Sequence, residues 1–451
     1  MTVPPPTAGP SRRIAFALFA ALIVIYNSNG REVGTVDSQP AKFTAREVAV
    51  QRTLVLDRVI AERPLLAERP AFGRDRQGHY RSSYPMLPAL VASIPATLLH
   101  TTGVVDMDAP LAPNLIAVVT ASLLTAGAVT LVFLAVRRLT GTTVALVTAI
   151  GLGLGTNYWP IVSRTLWQHE TVAFGLALAL WAWLKPSSEV RTRDLAWGGV
   201  GLAMAAAARP QVSVIVVVLL GWLALRTSVR RAMVPAAIVA ATGAIVVVTN
   251  VYWFGHVLGG VAALEAVHPQ VHNVPGSISR EPWVGALGLL ISPSRGLLVF
   301  SPIVLVAIAA FGPPIRSRTD LRPGWLGLAV LLQFGAYACY SVWWGGHTYG
   351  PRYMIDLLVP LAPLAALGAQ RIARHRALAA TGALLLAWSV LVAGVGAFVY
   401  PNERWNVDPA SVDRNHERLW QVRDSQILRA LESPVSPQNQ SLYDWGTVRR
   451  Q

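Results

Sequence analysis

The densest run of chemistry-bearing side chains is Trp343-Trp344-Gly345-Gly346-His347-Thr348-Tyr349-Gly350-Pro351-Arg352-Tyr353. Its three glycines and one proline shape a tight loop whose backbone can approach a ligand closely, while Trp344, His347, Arg352 and Tyr353 supply stacking, hydrogen bonds and charge. A helix hairpin with an aromatic belt explains the tryptophans but not His347, Gly350 and Arg352 together. Far upstream, Asp37 stands in Val36-Asp37-Ser38-Gln39-Pro40-Ala41-Lys42. A carboxylate held at a lipid–water boundary could take a proton from a hydroxyl or ligate a divalent cation, with Lys42 and Arg46 to balance charge or hold phosphate. An ordinary loop aspartate capping a helix is the plainer reading of the same residues.

Three further groups stand apart from the apolar background. Trp159-Pro160 leads through Arg164 to Trp167-Gln168-His169-Glu170. An adjacent His and Glu at a helix entrance could bind a metal or a sugar hydroxyl, and tryptophan faces could carry a sugar ring. An aromatic belt with an acidic helix N-terminus fits equally well. The turn Ser292-Pro293-Ser294-Arg295-Gly296 opens a helix, where a guanidinium can hold a phosphate bidentately or simply extend to headgroups. Arg209-Pro210 divides two short apolar runs and could reach the same cavity, or be a plain hairpin. His256, His268 and His272 share one loop without the fixed acidic partners of a metal site, and read as solvated.

These residues must be positioned by helices in lipid. Hydrophobic residues make up 53% of the 451 and charged residues 14%, too apolar a surface for a soluble chain of this size. The net charge of +15 comes from arginines clustered between apolar runs, the pattern of orientation signals rather than of a nucleic-acid surface. The lone cysteine, Cys339, lies in an apolar run and excludes a disulfide framework and a cysteine metal site. A helix needs about 20 apolar residues to cross about 30 Å of hydrocarbon. Runs that meet or approach that length are 14–27, 114–136, 142–158, 171–184, 194–208, 210–225, 232–252, 297–312, 324–341, 354–369 and 377–399. The expectation is an all-α polytopic membrane protein of about eleven transmembrane helices. The first run lacks a small-residue cleavage pattern and reads as a retained span. The runs 84–102, broken by prolines, and 282–291, short, fit interfacial helices better.

With Arg12 and Arg13 inside, Arg137/Arg138, Lys185/Arg191/Arg193, Arg226/Arg230/Arg231, Arg316/Arg318/Arg322 and Arg371/Arg374/Arg376 all fall inside too. The opposite gaps then hold every group singled out above. Residues 1–399 form one membrane domain. Within it 28–113 is a long first outer loop carrying juxtamembrane helices near Thr44–Val59 and Met86–Leu99, and 400–451 is an outer tail with an amphipathic piece near Leu419–Leu431. No internal repeat of the kind common in secondary transporters is present.

The order of these features resembles the GT-C class of membrane glycosyltransferases, particularly the bacterial relatives of protein O-mannosyltransferases and of the lipid A aminoarabinose transferase. The resemblance spans most of 14–399. It rests on the long outer loop with Asp37, on Tyr80-Arg81-Ser82-Ser83-Tyr84-Pro85, on Leu166-Trp167-Gln168-His169, on the Ser292–Gly296 turn, and on Trp344-Gly345-Gly346 running into Gly350-Pro351-Arg352-Tyr353. It implies inverting transfer of a sugar, hexosyl or pentosyl, from a polyprenyl-phosphate carrier to a glycan, lipid or protein acceptor. The chemistry would lie at the extracytoplasmic face of the plasma membrane, with Asp37 as the catalytic carboxylate. Many members carry two adjacent acids where this chain has Asp37-Ser38. That departure leaves metal use open, a divalent cation being the one cofactor to consider. Lys42, Arg295 and Arg352 as phosphate ligands follow from charge and position alone. Trp167, His169, Glu170, Trp344, His347 and Tyr353 are the candidates for sugar or acceptor binding. A transporter or flippase of a lipid-linked sugar, or a non-catalytic scaffold, are the rival readings.

Overall fold

Residues 8–312, 323–399 and 404–444 are described by this computed structural model. Every one of the eleven apolar runs is helical: Ala8–Asn27, Ala112–Thr140, Thr142–Leu154, His169–Trp183, Thr192–Ala208, Ser213–Arg226, Val229–Phe254, Pro302–Phe311, Pro323–Ala338, Leu358–Ile372 and Arg376–Phe398. Four segments, Ala112–Thr140, Val229–Phe254, Arg352–Ile372 and Arg376–Phe398, are long and apolar enough by themselves to cross a membrane. The others are shorter, and local chemistry explains where they stop. Pro302 cannot donate into a preceding turn, so the run begun by Leu297–Phe300 restarts as a 3-10 helix over Pro302–Phe311. Thr142–Leu154 ends at Gly155 and passes into a single π-turn at Tyr158–Val162.

The helices run between two ends of differing chemistry. At one end arginines cap helix carbonyls: Arg138 donates to Trp181 O and Leu184 O, Arg226 to Trp183 O and Lys185 O, and Arg231 to Val190 O. These bonds put the ends of Ala112–Thr140, His169–Trp183 and Ser213–Arg226 beside the starts of Thr192–Ala208 and Val229–Phe254. The chain therefore doubles back at Arg209, whose extended backbone (φ −151°, ψ 94°) precedes a 3-10 turn at Pro210–Val212. The basic cluster Arg316/Arg318/Arg322 lies outside the described residues.

Small residues set the helix spacing. A Cβ on Gly201 would lie 2.3 Å from Gly175 O and one on Gly175 2.4 Å from Gly201 O, so His169–Trp183 and Thr192–Ala208 touch backbone to backbone. The Val229–Phe254 helix lies at the flank, where Met233, Ile245 and Val248 are exposed as lipid-facing residues should be.

The long first loop is folded. Its first helix is Gln39–Gln51 rather than a run from Thr44, because Pro40 sits in the first turn, where a missing N–H costs nothing. Arg52 in the left-handed region ends it, and Asp57–Glu62 follows as a separate helix. The second, Leu87–Thr101, tolerates Pro88 in its first turn and carries Pro95 inside. Ala41, Ala45 and Ala49 pack against Ala89, Ala92 and Ala96, so the pair is joined by an alanine seam. Between them, Phe72–Arg74 and Tyr80–Ser82 form an antiparallel hairpin with Phe72 opposite Ser82. Past the last long helix, short helices at Arg404–Val407, His416–Trp420, Gln426–Leu431 and Ser441–Tyr443 wrap the end of the bundle opposite the arginine caps. Gln440 N donates to Asn29 O and Ser436 N to Phe398 O, tying this segment to the first and last long helices.

Candidate active site

Asp37 and Arg352, separated by 315 residues, meet: Arg352 Nη1 donates to Asp37 Oδ2 at 3.0 Å. Tyr84, just past the hairpin, donates its hydroxyl to Asp37 Oδ1 at 2.8 Å. Asp37 lies in the 3-10 turn Val36–Ser38 and its side chain is 37% exposed, so the carboxylate is partly open. Arg352 is buried, its guanidinium 4.5 Å from the centre of the Trp167 ring, and its Nε has no partner among the described residues. Burial alone would raise the Asp37 carboxyl, but the Arg352 charge and the hydrogen bonds from Arg352 and Tyr84 outweigh it and leave it below the usual carboxylate range. Burial chiefly, with the Asp37 charge beside it, pushes the Tyr84 phenol well up, so Tyr84 remains a donor.

The loop that presents Arg352 is held atom by atom. Gly345, Gly346 and Gly350 all have φ between 66° and 74°, a region that costs a side-chain-bearing residue energy. Gln426 accepts from Gly350 N at 2.9 Å and donates to Thr348 O at 2.7 Å, and Asn157 donates to Tyr349 O at 2.7 Å. Arg295 donates to Trp344 O (2.9 Å), Ser294 O (2.8 Å), Gly346 O (3.0 Å) and Asn406 Oδ1 (2.9 Å), and is fully buried. Its guanidinium thereby braces the loop. Lys42 is likewise engaged, by Glu32 at 2.7 Å and Asn114 at 2.8 Å, and helps to fix the first outer helix.

Beneath the Asp37–Arg352 pair lies a second polar layer. Asp356, four residues beyond Arg352, meets His169 Nδ1 at 2.6 Å, Arg209 Nε at 3.0 Å and the Tyr337 hydroxyl. Tyr337 stacks on Tyr353 at 5.1 Å, and Arg209 lies over the Tyr353 ring at 5.4 Å. All are buried, and a buried carboxylate needs this many donors. Arg209 therefore reaches the polar end of the bundle, one of the two readings its sequence allowed. Of the residues expected to bind sugar or acceptor, His169 and Glu170 are fully enclosed, and Trp167, Trp344 and Tyr353 nearly so. They frame the site; the His347 side chain, 29% exposed, is the open one.

A third cluster joins the C-terminal segment to the loop. Asp413 stands between His272 Nδ1 (2.7 Å) and His347 Nε2 (2.8 Å), with Trp344 Nε1 at 3.3 Å. Burial opposes ionisation here, but hydrogen bonds from His272 and His347 outweigh it and hold the Asp413 carboxyl far below the usual range. His272 is buried and the His268 ring packs edge-on against it at 4.4 Å, so the expectation of three solvated histidines holds only for exposed His256. Sequence reasoning missed Tyr84, Asp356, Asn406, Asp413 and Gln426 as site residues. Asp356 carried a signal, an acid at the head of an apolar run; Asn406, Asp413 and Gln426 carried none. Among the described residues no group of three or more His, Cys, Asp or Glu side chains is placed to hold a metal ion, and Asp37 has an arginine and a tyrosine at hand where a metal site needs further carboxylates. An apolar recess between Thr142–Leu154, Pro302–Phe311 and Leu358–Ile372 is lined by none of these polar groups.

No known protein family matches the sequence, and no curated protein matches it either. Solved structures do. ArnT from Cupriavidus metallidurans bound to undecaprenyl phosphate is similar over 86% of this chain and 70% of that one, with TM-score 0.48 and 13% identity. The Archaeoglobus fulgidus oligosaccharyltransferase in its apo form is similar over 92% of this chain, with TM-score 0.45 and 11% identity. AglB from the same organism, in complex with an inhibitory peptide and a dolichol-phosphate, is similar over 92%, with TM-score 0.46 and 10% identity. This chain spans 60% of the length of each archaeal chain.

Proposed function

We propose that this chain is a membrane glycosyltransferase that moves a sugar from a polyprenyl-phosphate carrier to a hydroxyl of a glycan, lipid or protein acceptor outside the cytoplasm, with inversion and with Asp37 as general base. The observation that carries the reading is the pairing of a partly exposed carboxylate with a buried arginine whose Nε has no partner among the described residues, at the end of the bundle opposite the basic helix caps. In this reading all eleven helical runs cross the membrane, which places Asp37 at its outer boundary and the capping arginines inside.

The chemistry is a single displacement. The acceptor atom attacks the anomeric carbon while its proton passes to Asp37, the bond from that carbon to the phosphate oxygen breaks, and the phosphate leaves with the bonding electrons. Arg352 stabilises the charge that develops on that oxygen, so no acid has to protonate it. Attack opposite the leaving group inverts the carbon. A positioned base contributes about 10²–10⁴-fold, and a donor preorganised in a dry pocket is worth a comparable factor. His347, whose side chain is 29% exposed, is the proposed contact for sugar or acceptor.

The test is transfer by purified protein from a panel of polyprenyl-phosphate sugars, with Asp37→Asn beside the parent. The parent is expected to turn over at least one donor and the variant to lose about 10²-fold or more. Parent-like turnover in Asp37→Asn would remove Asp37 as base, and absence of turnover with every donor would favour transport.

A further inference from the structure

The Asp37–Arg352 contact ties up one oxygen of the carboxylate and Nη1 of the guanidinium, yet the proposed reaction needs the carboxylate for a proton and the guanidinium for a phosphate. We propose that donor phosphate and Asp37 compete for Arg352, so that arrival of the donor displaces the carboxylate and thereby releases the base for the acceptor. This rests on the transferase reading and adds an order to it: the donor must bind before the base is free.

The geometry makes Arg352 the fixed partner and Asp37 the one that moves. The guanidinium is stacked on Trp167 at 4.5 Å, its Nη1 reaches Gly345 O at 3.4 Å, and a Cβ at Gly345 would lie 3.3 Å from Arg352 Cβ, so the loop closes over its stem. Asp37, by contrast, lies in a three-residue turn and is partly open. Arg352 is also under-used, with a buried Nε that has no acceptor among the described residues, while Asp37 supplies one oxygen to Nη1. A phosphate offers two or more oxygens and matches the planar fork better than a singly bonded carboxylate. A polyprenyl-phosphate sugar is a phosphodiester of single negative charge, so one anion replaces another and the guanidinium stays neutralised throughout. Tyr84 holds the opposite oxygen of Asp37 at 2.8 Å, so a displaced carboxylate stays beside Tyr84 with Oδ2 free. Tyr84 is thus a positioning residue. After transfer Asp37 carries the acceptor's proton; returning to Arg352 expels that proton to solvent and helps drive the polyprenyl monophosphate off.

Equilibrium binding of a polyprenyl monophosphate of defined length, without sugar, to the full-length protein in nanodiscs tests this. Asp37→Asn and Asp37→Ser, which remove the competing charge, are expected to bind about tenfold tighter than the parent, the worth of one charge-assisted hydrogen bond, while losing about 10²-fold or more of sugar transfer. Arg352→Gln is expected to lose binding about tenfold or more. Tyr84→Phe is expected to leave affinity within about twofold and to lower kcat, because the freed carboxylate is no longer aimed. Equal or weaker binding by both Asp37 variants, with thermal unfolding like the parent's, overturns the exchange while leaving the transferase reading intact if the parent still transfers sugar. A parent that neither binds the monophosphate nor transfers sugar overturns the reading beneath it.

Discussion

In the proposed mechanism Asp37 acts as a carboxylate, so its pH dependence has a definite sign: activity is expected to fall as pH falls through its pKa. Because Arg352 and Tyr84 hold that pKa below the ordinary carboxylate value of about 3.9, the acid limb of kcat/KM for the parent is expected below the usual range, with no loss from this group between about pH 5 and 8. Arg352→Gln removes the lowering partner and leaves burial, so its acid limb is expected to move up; profiles of the two proteins check this. Arg352→Lys keeps the charge but not the fork, and is expected to recover only part of donor binding, read as KM. The two members of this pair were legible in the sequence because each stands among turn-forming or polar neighbours that no helix needs. Arg295 and Lys42 looked equivalent to Arg352, and nothing in the sequence separates them. What distinguishes them is the set of oxygens that meet them: Trp344 O, Gly346 O and Asn406 for one, Glu32 and Asn114 for the other. Those partners come from distant segments.

At the level of elements, two contacts decide whether the site is held in shape. Gly201→Val would force apart the backbones of His169–Trp183 and Thr192–Ala208, which carry His169 and Arg209 to Asp356. A loss of about 2 kcal/mol or more is expected, seen as a lower unfolding temperature in detergent. Gln426→Ala leaves Gly350 N and Thr348 O without their partner in a buried loop. About 1–3 kcal/mol is expected to be lost per orphaned group, with a fall in kcat that exceeds the change in overall stability, measured by turnover beside thermal unfolding. Helix positions were readable because about twenty apolar residues have few alternatives in lipid, and the eleven runs are all helical. Their interruptions were less so: the break before Pro302 and the early start at Gln39 follow from proline rules that a count of apolar residues ignores. The C-terminal segment was legible only as polar and partly amphipathic, since its binding to the loop runs through side chains such as Asp413, whose role depends on histidines more than sixty residues away in sequence. With its folded pKa depressed, Asp413 contributes stability fully above the ordinary carboxylate range and loses it as pH falls toward the folded value.

For the whole molecule the central expectation concerns sidedness. In a Cys339→Ser background, Gln77→Cys in the first outer loop and Ser188→Cys beside the capping arginines are both exposed and lie at opposite ends of the bundle. A membrane-impermeant thiol reagent applied to intact cells is expected to label the first and spare the second; the reverse pattern would place Asp37 in the cytoplasm and end the proposed function. The segment 404–444 adds a temporal property to the finished protein. Gln426, Asn406 and Asp413 brace the loop from the far end of the polypeptide, so translation threads every helix into lipid before the pieces that shape the Arg352 loop leave the ribosome. Under the proposed function and topology a nascent chain would be anchored but inert, and clipping of that stretch by an extracellular protease would silence transfer while leaving the membrane-embedded body in place.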